Sequence, residues 1–356
     1  MIRRRKDNRK KCCKTILLLG MLLTIAFCAT ACGKEQTDDG KLHVVAAVFP
    51  LYDWTREIIG DAQDVELKLL VNNGTDLHSY QPSASDLVNI STCDVFLYVG
   101  GASDTWVKDA LNNVTNPDMQ VINLMDVLGS RAVEEEIVAG MQHSHEEHEE
   151  HEHSDGALHE EAHDAEEQHT AEDDHKGGSF DEHVWLSLNN AELFVNHISD
   201  VLETVDAKNA ENYRSNADAY GNRLKALEAE YRNTIENAET DTLLFCDRFP
   251  FRYLTEDYGL KYYAAFPGCS AETEASFATI AFLAEKLEEL QLPAVITIEG
   301  SDKKIAETVI QNTKSKDQTI VSLDSLQSVS KKDIENGVTY LSVMEKNLSV
   351  LKQALE

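Results

Sequence analysis

Several signals of enzymatic chemistry and of cysteine-based structure are missing from this 356-residue sequence. No Cys-x-x-Cys pair occurs among its seven cysteines, so we expect neither a thiolate zinc finger nor a disulfide framework. The sequence also lacks the Gly-x-x-x-x-Gly-Lys-Ser/Thr loop of ATPases, and its one match to the His-Glu-x-x-His motif of metallohydrolases, at residues 159–163, belongs to a histidine- and acid-rich segment of low complexity. We therefore predict that the protein is not an enzyme.

Positive charge is also scarce, with 32 basic residues against 63 acidic residues and a net charge of −31. Residues 1–31 carry eight of the basic residues and one acid, so the chain without them has a net charge of about −38. Such a surface repels nucleic acid and anionic membranes, and no nucleic-acid partner is expected. The charge suits a protein that collects cations.

The N-terminus predicts export and a lipid anchor. A basic segment, an apolar run over 15–28 and the small residues Ala29, Thr30 and Ala31 precede Cys32, a pattern typical of a secretory signal and too short for a comfortable membrane span. We interpret it as a lipoprotein signal, followed by a linker over 32–41. Acylation of Cys32 would tether the protein outside the cytoplasmic membrane. The alternatives are ordinary signal cleavage or a short anchor helix.

A histidine-rich and acid-rich tract interrupts the chain. Residues 143–175 hold nine histidines and fourteen carboxylates without Lys or Arg. Because the tract has almost nothing apolar to bury, we predict a disordered loop over about 134–178. Neutral imidazole is a common ligand of transition metals, which indicates a protein that handles metal and a tract that acts as a weak collector.

Apolar segments that suit buried strands alternate with helical segments on both sides of the tract, as in 42–50 and 294–298. This rhythm predicts an α/β fold with parallel sheets. The length favours two lobes, each a parallel sheet flanked by helices. We place an N-terminal lobe at 42–206 and a C-terminal lobe at 239–356, joined by a long connecting helix over 207–238.

Polar residues at predicted strand ends or in loops form the candidate site, because ligands of parallel sheets lie at the carboxyl ends of the strands. His78 follows the second strand, His183 follows the tract, and Asp247 and Asp324 follow strands of the second half. Histidines and carboxylates from the two halves would hold Zn²⁺ or Mn²⁺ between the lobes. Each residue also has an ordinary structural explanation, and Asp324 could simply cap a helix.

The chain resembles the zinc- and manganese-type solute-binding lipoproteins of bacterial ABC importers over nearly all of 42–355. Family members also commonly carry a histidine- and acid-rich loop before their second histidine ligand. The motifs that carry the resemblance lie at 44–54, 78–86 (His-Ser-Tyr-Gln-Pro-Ser-Ala-Ser-Asp), 181–188 (Asp-Glu-His-Val-Trp-Leu-Ser-Leu), 209–213, 253–260, 323–326 and 340–347.

The resemblance implies three ligands directly. His78 and His183 match the first two metal ligands of the family, and Asp324 matches its late aspartate. The remaining family ligand falls on Arg248, five residues before the Tyr-Leu-Thr-Glu-Asp-Tyr-Gly-Leu motif. Arginine has no acceptor and cannot bind a cation.

The identity of the third ligand therefore stays open. We favour Asp247, and the other candidates are Cys269, Glu272 and water, with Glu299 as an outside candidate at a strand end. Asp247 could instead pair with its arginine neighbour or cap a helix, and Cys269 could be a core residue or form a disulfide with Cys246.

The resemblance implies a function as well as a fold. We expect a monomeric, extracytoplasmic lipoprotein that captures a divalent cation between its lobes and delivers it to an ABC permease and its ATPase. Zn²⁺ is the expected cation, and Mn²⁺ is the alternative. A metal-dependent adhesin and a surface metal buffer are the competing functions.

Overall fold

The computed structural model describes residues 40–142, 180–270 and 272–356. The predicted signal sequence over 1–31, the predicted lipidation site Cys32, the predicted linker up to residue 39 and the tract over 143–179 lie outside the described residues. Residues 42–356 form one compact unit, and all the elements below belong to it.

The N-terminal lobe contains a four-stranded parallel sheet. Its strands are β1 (Leu42–Ala46), β2 (Val65–Leu69), β3 (Val95–Tyr98) and β4 (Gln120–Asn123), in the order β2-β1-β3-β4. The central strands β1 and β3 are rich in buried valine, leucine and phenylalanine, as expected for a sheet covered by helices on both faces.

The C-terminal lobe repeats this design. Its strands are β5 (Thr242–Phe249), β6 (Lys261–Pro267), β7 (Ala294–Ile298) and β8 (Thr319–Leu323), in the order β6-β5-β7-β8. All neighbouring strands are parallel. The predicted two-lobe α/β fold is therefore confirmed, and each lobe places its second strand at an edge of its sheet.

Eleven α-helices accompany the strands in the described residues, and several begin where the sequence supplies a capping side chain. Ser83 and Thr339, for example, each start a helix with a capping box. The helices are α1 (Phe49–Ile59), α2 (Ala84–Thr92), α3 (Val107–Leu111), α4 (Leu124–Leu128), α5 (Leu188–Val205), α6 (Ala210–Glu236), α7 (Arg252–Tyr258), α8 (Phe277–Glu289), α9 (Lys304–Gln311), α10 (Lys331–Glu335) and α11 (Tyr340–Leu355).

The long helix α6 joins the two lobes. It contacts α1 of the N-terminal lobe and α11 of the C-terminal lobe. Tyr231 on its buried side donates a hydrogen bond to the carbonyl of Met344 at 2.6 Å. Helix α6 (Ala210–Glu236) lies within the segment 207–238.

One hydrophobic core runs through both lobes. Trp54 of α1 packs edge-on against Tyr340 of α11, with ring centroids 5.1 Å apart. The carboxylate of Asp53 accepts a hydrogen bond from the backbone N–H of Tyr340 at 2.8 Å. These contacts join the two lobes through a shared core, and loops of the two lobes face each other beside it.

Two local features differ from the sequence-based expectations. Strand β5 continues through Asp247 and Arg248 to Phe249, with irregular pairing between Phe245 and Arg248, so neither residue lies in a free loop. Residues 134–142, which the composition assigned to the disordered tract, lie against the C-terminal lobe instead. Gln142, for example, donates its backbone N–H to the carbonyl of Ala265 at 2.9 Å.

We call residues 132–142 the strap. Its first part pairs with the chain at Phe180 through an isolated bridge from Glu134, and the hydroxyl of Tyr262 donates a hydrogen bond to Glu136 at 3.0 Å. The strap therefore follows the C-terminal lobe up to the point where the tract begins. None of the helices among the described residues is long and apolar enough to span a bilayer.

Candidate metal centre

His78 lies on a short helical turn, Leu77–Ser79, that follows β2. The side chain of Asp76 starts this turn by accepting the backbone N–H of His78 at 3.0 Å. Arg248 of the C-terminal lobe donates to the other carboxylate oxygen of Asp76 at 2.7 Å. The position of His78 is therefore linked to the opposite lobe by an ion pair.

His183 is fully buried, with 0% of its surface exposed. Asp181 accepts hydrogen bonds from its backbone N–H at 2.8 Å and from its ring Nδ1 at 3.1 Å. The ring also packs edge-on against Trp185, with centroids 5.4 Å apart. These contacts leave only Nε2 of His183 available to a ligand.

The ring of His78 is held in the same way. Its Nδ1 lies 2.7 Å from the hydroxyl oxygen of Ser103 and 3.0 Å from Oε1 of Glu182. The hydroxyl of Ser103 donates its own hydrogen to Glu182 at 2.6 Å. Both neighbours of Nδ1 are therefore acceptors, which fixes the proton of a neutral His78 on Nδ1 and leaves a lone pair on Nε2.

The two lone pairs converge on one point. Nε2 of His78 and Nε2 of His183 lie 3.2 Å apart. Two nitrogens that share one tetrahedral Zn²⁺ at the usual bond length lie roughly 3.3 Å apart. Facing lone pairs at this distance repel unless a cation lies between them, so the pair fits a divalent transition metal.

Cys269 is the third member of the cluster and comes from the loop after β6. Its Sγ and one nitrogen of each histidine lie within 4.8 Å of one another, and they form the one group of potential ligands that the described residues bring together in this way. Sγ lies 3.4 Å from Oε1 of Glu182, and the backbone N–H of Cys269 donates to Glu135 of the strap at 3.3 Å. One lobe thus supplies the two histidines and the other supplies a thiol.

The disulfide between Cys246 and Cys269 is not present. Both thiols are free, as is that of Cys93. Cys246 lies in the core of the C-terminal lobe, beside Leu244 and Phe266. The sequence left this pairing open, and the fold separates the two residues because Cys246 faces the core from within β5.

Gly268 allows the thiol loop to approach the histidines. A Cβ at this position would lie 2.9 Å from the carbonyl oxygen of Phe249 and 3.1 Å from Cε1 of His183. Neither neighbour can move without disturbing strand β5 or the histidine ring. Glycine is therefore required immediately before Cys269.

The charges around the cluster are negative. Glu182 is 1% exposed; burial would raise its pKa, but hydrogen bonds from His78 and Ser103 hold that pKa at about 2. Burial works to lower the pKa of His183, whereas Asp181 and Glu182 outweigh it and raise this pKa. Burial and then the nearby carboxylates raise the pKa of the Cys269 thiol. The site therefore favours positive charge.

Asp324 and Glu299 lie together directly after β8 and β7 of the C-terminal lobe. Asp324 accepts the backbone N–H of Leu326 at 2.9 Å, and its own N–H donates to the side chain of Asn347 at 2.9 Å. Glu299 accepts two hydrogen bonds from Ser325, at 2.8 Å and 2.6 Å. Neither carboxylate belongs to the three-residue donor group.

The other candidates for the third ligand are engaged in local contacts. Asp247 accepts the backbone N–H of Arg248 at 2.9 Å, and Glu272 pairs with the side chain of Gln142. Asp247 is likewise outside the donor group. The structure thus brings His78 and His183 together with Cys269, while Asp324, Asp247 and Glu299 remain ligand predictions.

Sequence reasoning missed the residues that orient the histidines. Asp181 and Glu182 stand directly before His183, and that run of two acids beside a histidine was an available signal. Ser103 gave no signal, because its role depends on the approach of β3 to the chain at Glu182. A Cβ on Gly101 would also collide with the Glu182 side chain, which explains the glycine at this position.

Residues 44–354 match the ZnuA family, described as zinc-uptake complex component A, periplasmic. This chain belongs to the ZnuA family. The match covers both lobes and all the candidate ligands in them.

Individual relatives agree with this assignment. The chain is 32% identical over 339 residues to the zinc-binding lipoprotein AdcA of Streptococcus pneumoniae, a match that covers 94% of this chain and 60% of that protein. It is 29% identical over 348 residues to the high-affinity zinc uptake system protein ZnuA of Bacillus subtilis, covering 97% and 98% of the two chains. This chain therefore spans about three fifths of the length of its AdcA relative.

A solved structure shares the fold. The Zn(II)-bound ZnuA-like domain of Streptococcus pneumoniae AdcA superimposes with a TM-score of 0.65 at 28% identity, covering 89% of this chain and 99% of that domain. The similarity places this chain beside one domain of AdcA rather than beside the whole protein.

Proposed function

We propose that this protein captures Zn²⁺ between its two lobes outside the cytoplasmic membrane and delivers it to an ABC permease for uptake. The observation that carries the proposal is the pair of Nε2 atoms of His78 and His183, 3.2 Å apart with their Nδ1 atoms already engaged. Membership of a zinc-uptake family supports the choice of cation. Zn²⁺ is cargo in this proposal and catalyses nothing.

Binding between lobes suits capture and release. His78 is held partly by the ion pair between Asp76 and Arg248, which belong to different lobes. A small rotation of one lobe would break that pair and separate the histidines from the C-terminal loop. Docking on a permease could supply the energy for this step, which explains how a tightly bound cation is handed over.

The rest of the assembly is also a proposal. We infer that Cys32 carries the lipid anchor, which agrees with the description of the AdcA relative as a lipoprotein. We retain the lobe boundaries at 42–206 and 239–356, the connecting helix at 207–238 and the monomeric state. Delivery requires a permease and an ATPase from other chains.

Zinc binding by variants of the mature chain tests this proposal. We expect His78→Ala and His183→Ala each to lower Zn²⁺ affinity by roughly a hundredfold or more. Loss of an outer hydrogen-bond partner costs roughly tenfold to a hundredfold in metal affinity, and loss of a direct ligand should cost at least as much. His197→Ala is the matched control, since His197 lies on α5 away from the cluster. Competition with a chromophoric zinc chelator measures the affinities.

Deletion of residues 143–179 separates capture from buffering. Tight one-to-one binding that survives the deletion and is lost in His183→Ala supports the interlobe site. Binding that disappears with the deletion would instead identify the protein as a surface metal buffer. The same titrations with Mn²⁺ test the alternative cation.

A further inference from the structure

We propose that Cys269 is the third protein ligand of the captured cation, bound as a thiolate, and that its sulfur makes the site select Zn²⁺ over Mn²⁺. The inference rests on the proposed function, because it names a ligand of the same site. Thiolate is a soft ligand that suits zinc, whereas Mn²⁺ prefers carboxylate, carbonyl and water oxygens.

The distances favour a shared ligand. Sγ of Cys269 is within 4.8 Å of the histidine nitrogens. A nitrogen and a sulfur bound to the same tetrahedral Zn²⁺ lie roughly 3.6 Å apart. A movement of about 1 Å by the Cys269 side chain would bring its sulfur from at most 4.8 Å to that distance.

The neighbouring position in β5 cannot supply a ligand. Arg248 is a cation, and its guanidinium is committed to Asp76 of the other lobe. Arg248 pairs in register with Phe266 of β6, and Cys269 follows Phe266 by three residues. The loop after the adjacent strand β6 thus supplies the metal ligand that β5 lacks, at the same end of the sheet.

The loop holds the sulfur toward the histidines. Gly268 lies against the ring of His183, and Glu135 of the strap accepts the backbone N–H of Cys269. Glu182 contacts both Sγ of Cys269 and Nδ1 of His78. The buried carboxylate of Glu182 therefore contacts two of the proposed metal ligands, and its negative charge would partly offset the charge of a dication bound between them.

The other cysteines of the folded chain cannot account for a sulfur ligand at this place. Cys93 and Cys246 are both buried in hydrophobic clusters, one in each lobe. Residues 143–179 contain nine histidines but no cysteine. A metal–sulfur signal at low metal loading therefore reports on Cys269 and not on the tract.

X-ray absorption at the zinc edge tests the proposal on the mature chain loaded with less than one equivalent of Zn²⁺. We expect one sulfur scatterer at about 2.3 Å from zinc in the unmodified chain and in Cys246→Ala, and none in Cys269→Ser. The Co²⁺-loaded chain should show a sulfur-to-cobalt charge-transfer band with the same dependence on Cys269. Circular dichroism and thermal unfolding of the metal-free variants control for folding.

Affinities provide the second readout. We expect Cys269→Ser to lower Zn²⁺ affinity by roughly tenfold to a hundredfold or more, judged from the loss of outer-sphere partners in other zinc sites. Mn²⁺ affinity should change little, so the preference for Zn²⁺ falls by nearly the same factor.

The results distinguish this inference from the proposed function. The thiolate ligand is ruled out if Cys269→Ser keeps the sulfur scatterer. It is also ruled out if the unmodified chain shows no sulfur signal and Cys269→Ser binds Zn²⁺ with unchanged affinity. In that case, loss of binding in His78→Ala would still support zinc capture. If the unmodified chain binds no Zn²⁺ at His78 and His183, the proposed function fails as well.

Discussion

Two glutamates, one in each lobe, accept nearly identical hydrogen bonds, but their pKa values shift in opposite directions. Glu182 accepts the backbone N–H and the hydroxyl of Ser103, at 3.0 Å and 2.6 Å. Glu299 accepts the backbone N–H and the hydroxyl of Ser325, at 2.8 Å and 2.6 Å. Yet the pKa of Glu182 is held at about 2, while that of Glu299 rises to about 7.

The difference lies in the neighbouring charge. Burial acts against the ionised form of both glutamates. His78 and His183 favour the carboxylate of Glu182, whereas the carboxylate of Asp324 opposes that of Glu299. The comparison teaches that two hydrogen bonds from a serine do not by themselves set the pKa of a buried glutamate. The groups beside the carboxylate, imidazoles in one case and a second carboxylate in the other, decide the direction of the shift.

Glu182→Gln should have the largest effect on this comparison. The amide keeps the size of the side chain but removes the charge that orients His78, so we expect Zn²⁺ affinity to fall by roughly tenfold to a hundredfold. Glu299→Gln is the matched control and should leave Zn²⁺ affinity nearly unchanged. Chelator competition measures both, and a larger loss in Glu299→Gln would support Glu299 as a ligand.

Glu299→Gln should instead change how stability depends on pH. Because burial and Asp324 raise the pKa of Glu299 in the folded state, its stabilising contribution is complete below its unfolded pKa and is lost as pH rises through about 7. The free energy of unfolding of the unmodified chain should therefore fall relative to that of Glu299→Gln as the pH rises from 4.5 to 8.5.

Urea unfolding of the metal-free proteins at the two pH values measures this difference. Glu182→Gln is the comparison variant here. Because the pKa of Glu182 is low, its ionisation should cause no loss of stability over the same pH interval. A constant difference between the unmodified chain and Glu299→Gln would show that Glu299 ionises normally in the folded protein.

Ser103→Ala should give the smallest effect. The substitution removes one hydroxyl donor to Glu182 and one acceptor for Nδ1 of His78, so we expect a loss of about 1 kcal/mol, or roughly fivefold in Zn²⁺ affinity. Ser325→Ala removes the corresponding hydroxyl from Glu299 and should not affect Zn²⁺. Equal losses of Zn²⁺ affinity in the two variants would mean that the two serine hydroxyls contribute only to folding.

The sequence alone supported the fold because its evidence is local. Alternation of apolar strands with helices gave the two parallel sheets, and the absence of proline between 207 and 238 agreed with helix α6. The boundary of β5 was wrong, since the strand continues through Arg248 after an irregular stretch of pairing. Sequence patterns detect average periodicity and cannot locate such an irregularity.

The site was accessible only in part. His78 and His183 could be selected from their motifs, and the structure places them 3.2 Å apart at Nε2. The preference for Asp247 as third ligand has no support from the donor geometry, because its side chain serves the backbone of its own strand. Cys269 lies beside the histidines because of the register between β5 and β6, and composition and spacing do not reveal that register.

By itself, the sequence determined the two-lobe α/β architecture and the acidic character of the chain, and it singled out the two histidines that the fold brings together. Only the tertiary structure decided that Arg248 links the lobes through Asp76, that Cys246 and Cys269 stay apart, and that a thiol meets the histidines. The reason is that metal geometry depends on distances between side chains far apart in the chain, and packing of the two lobes sets those distances.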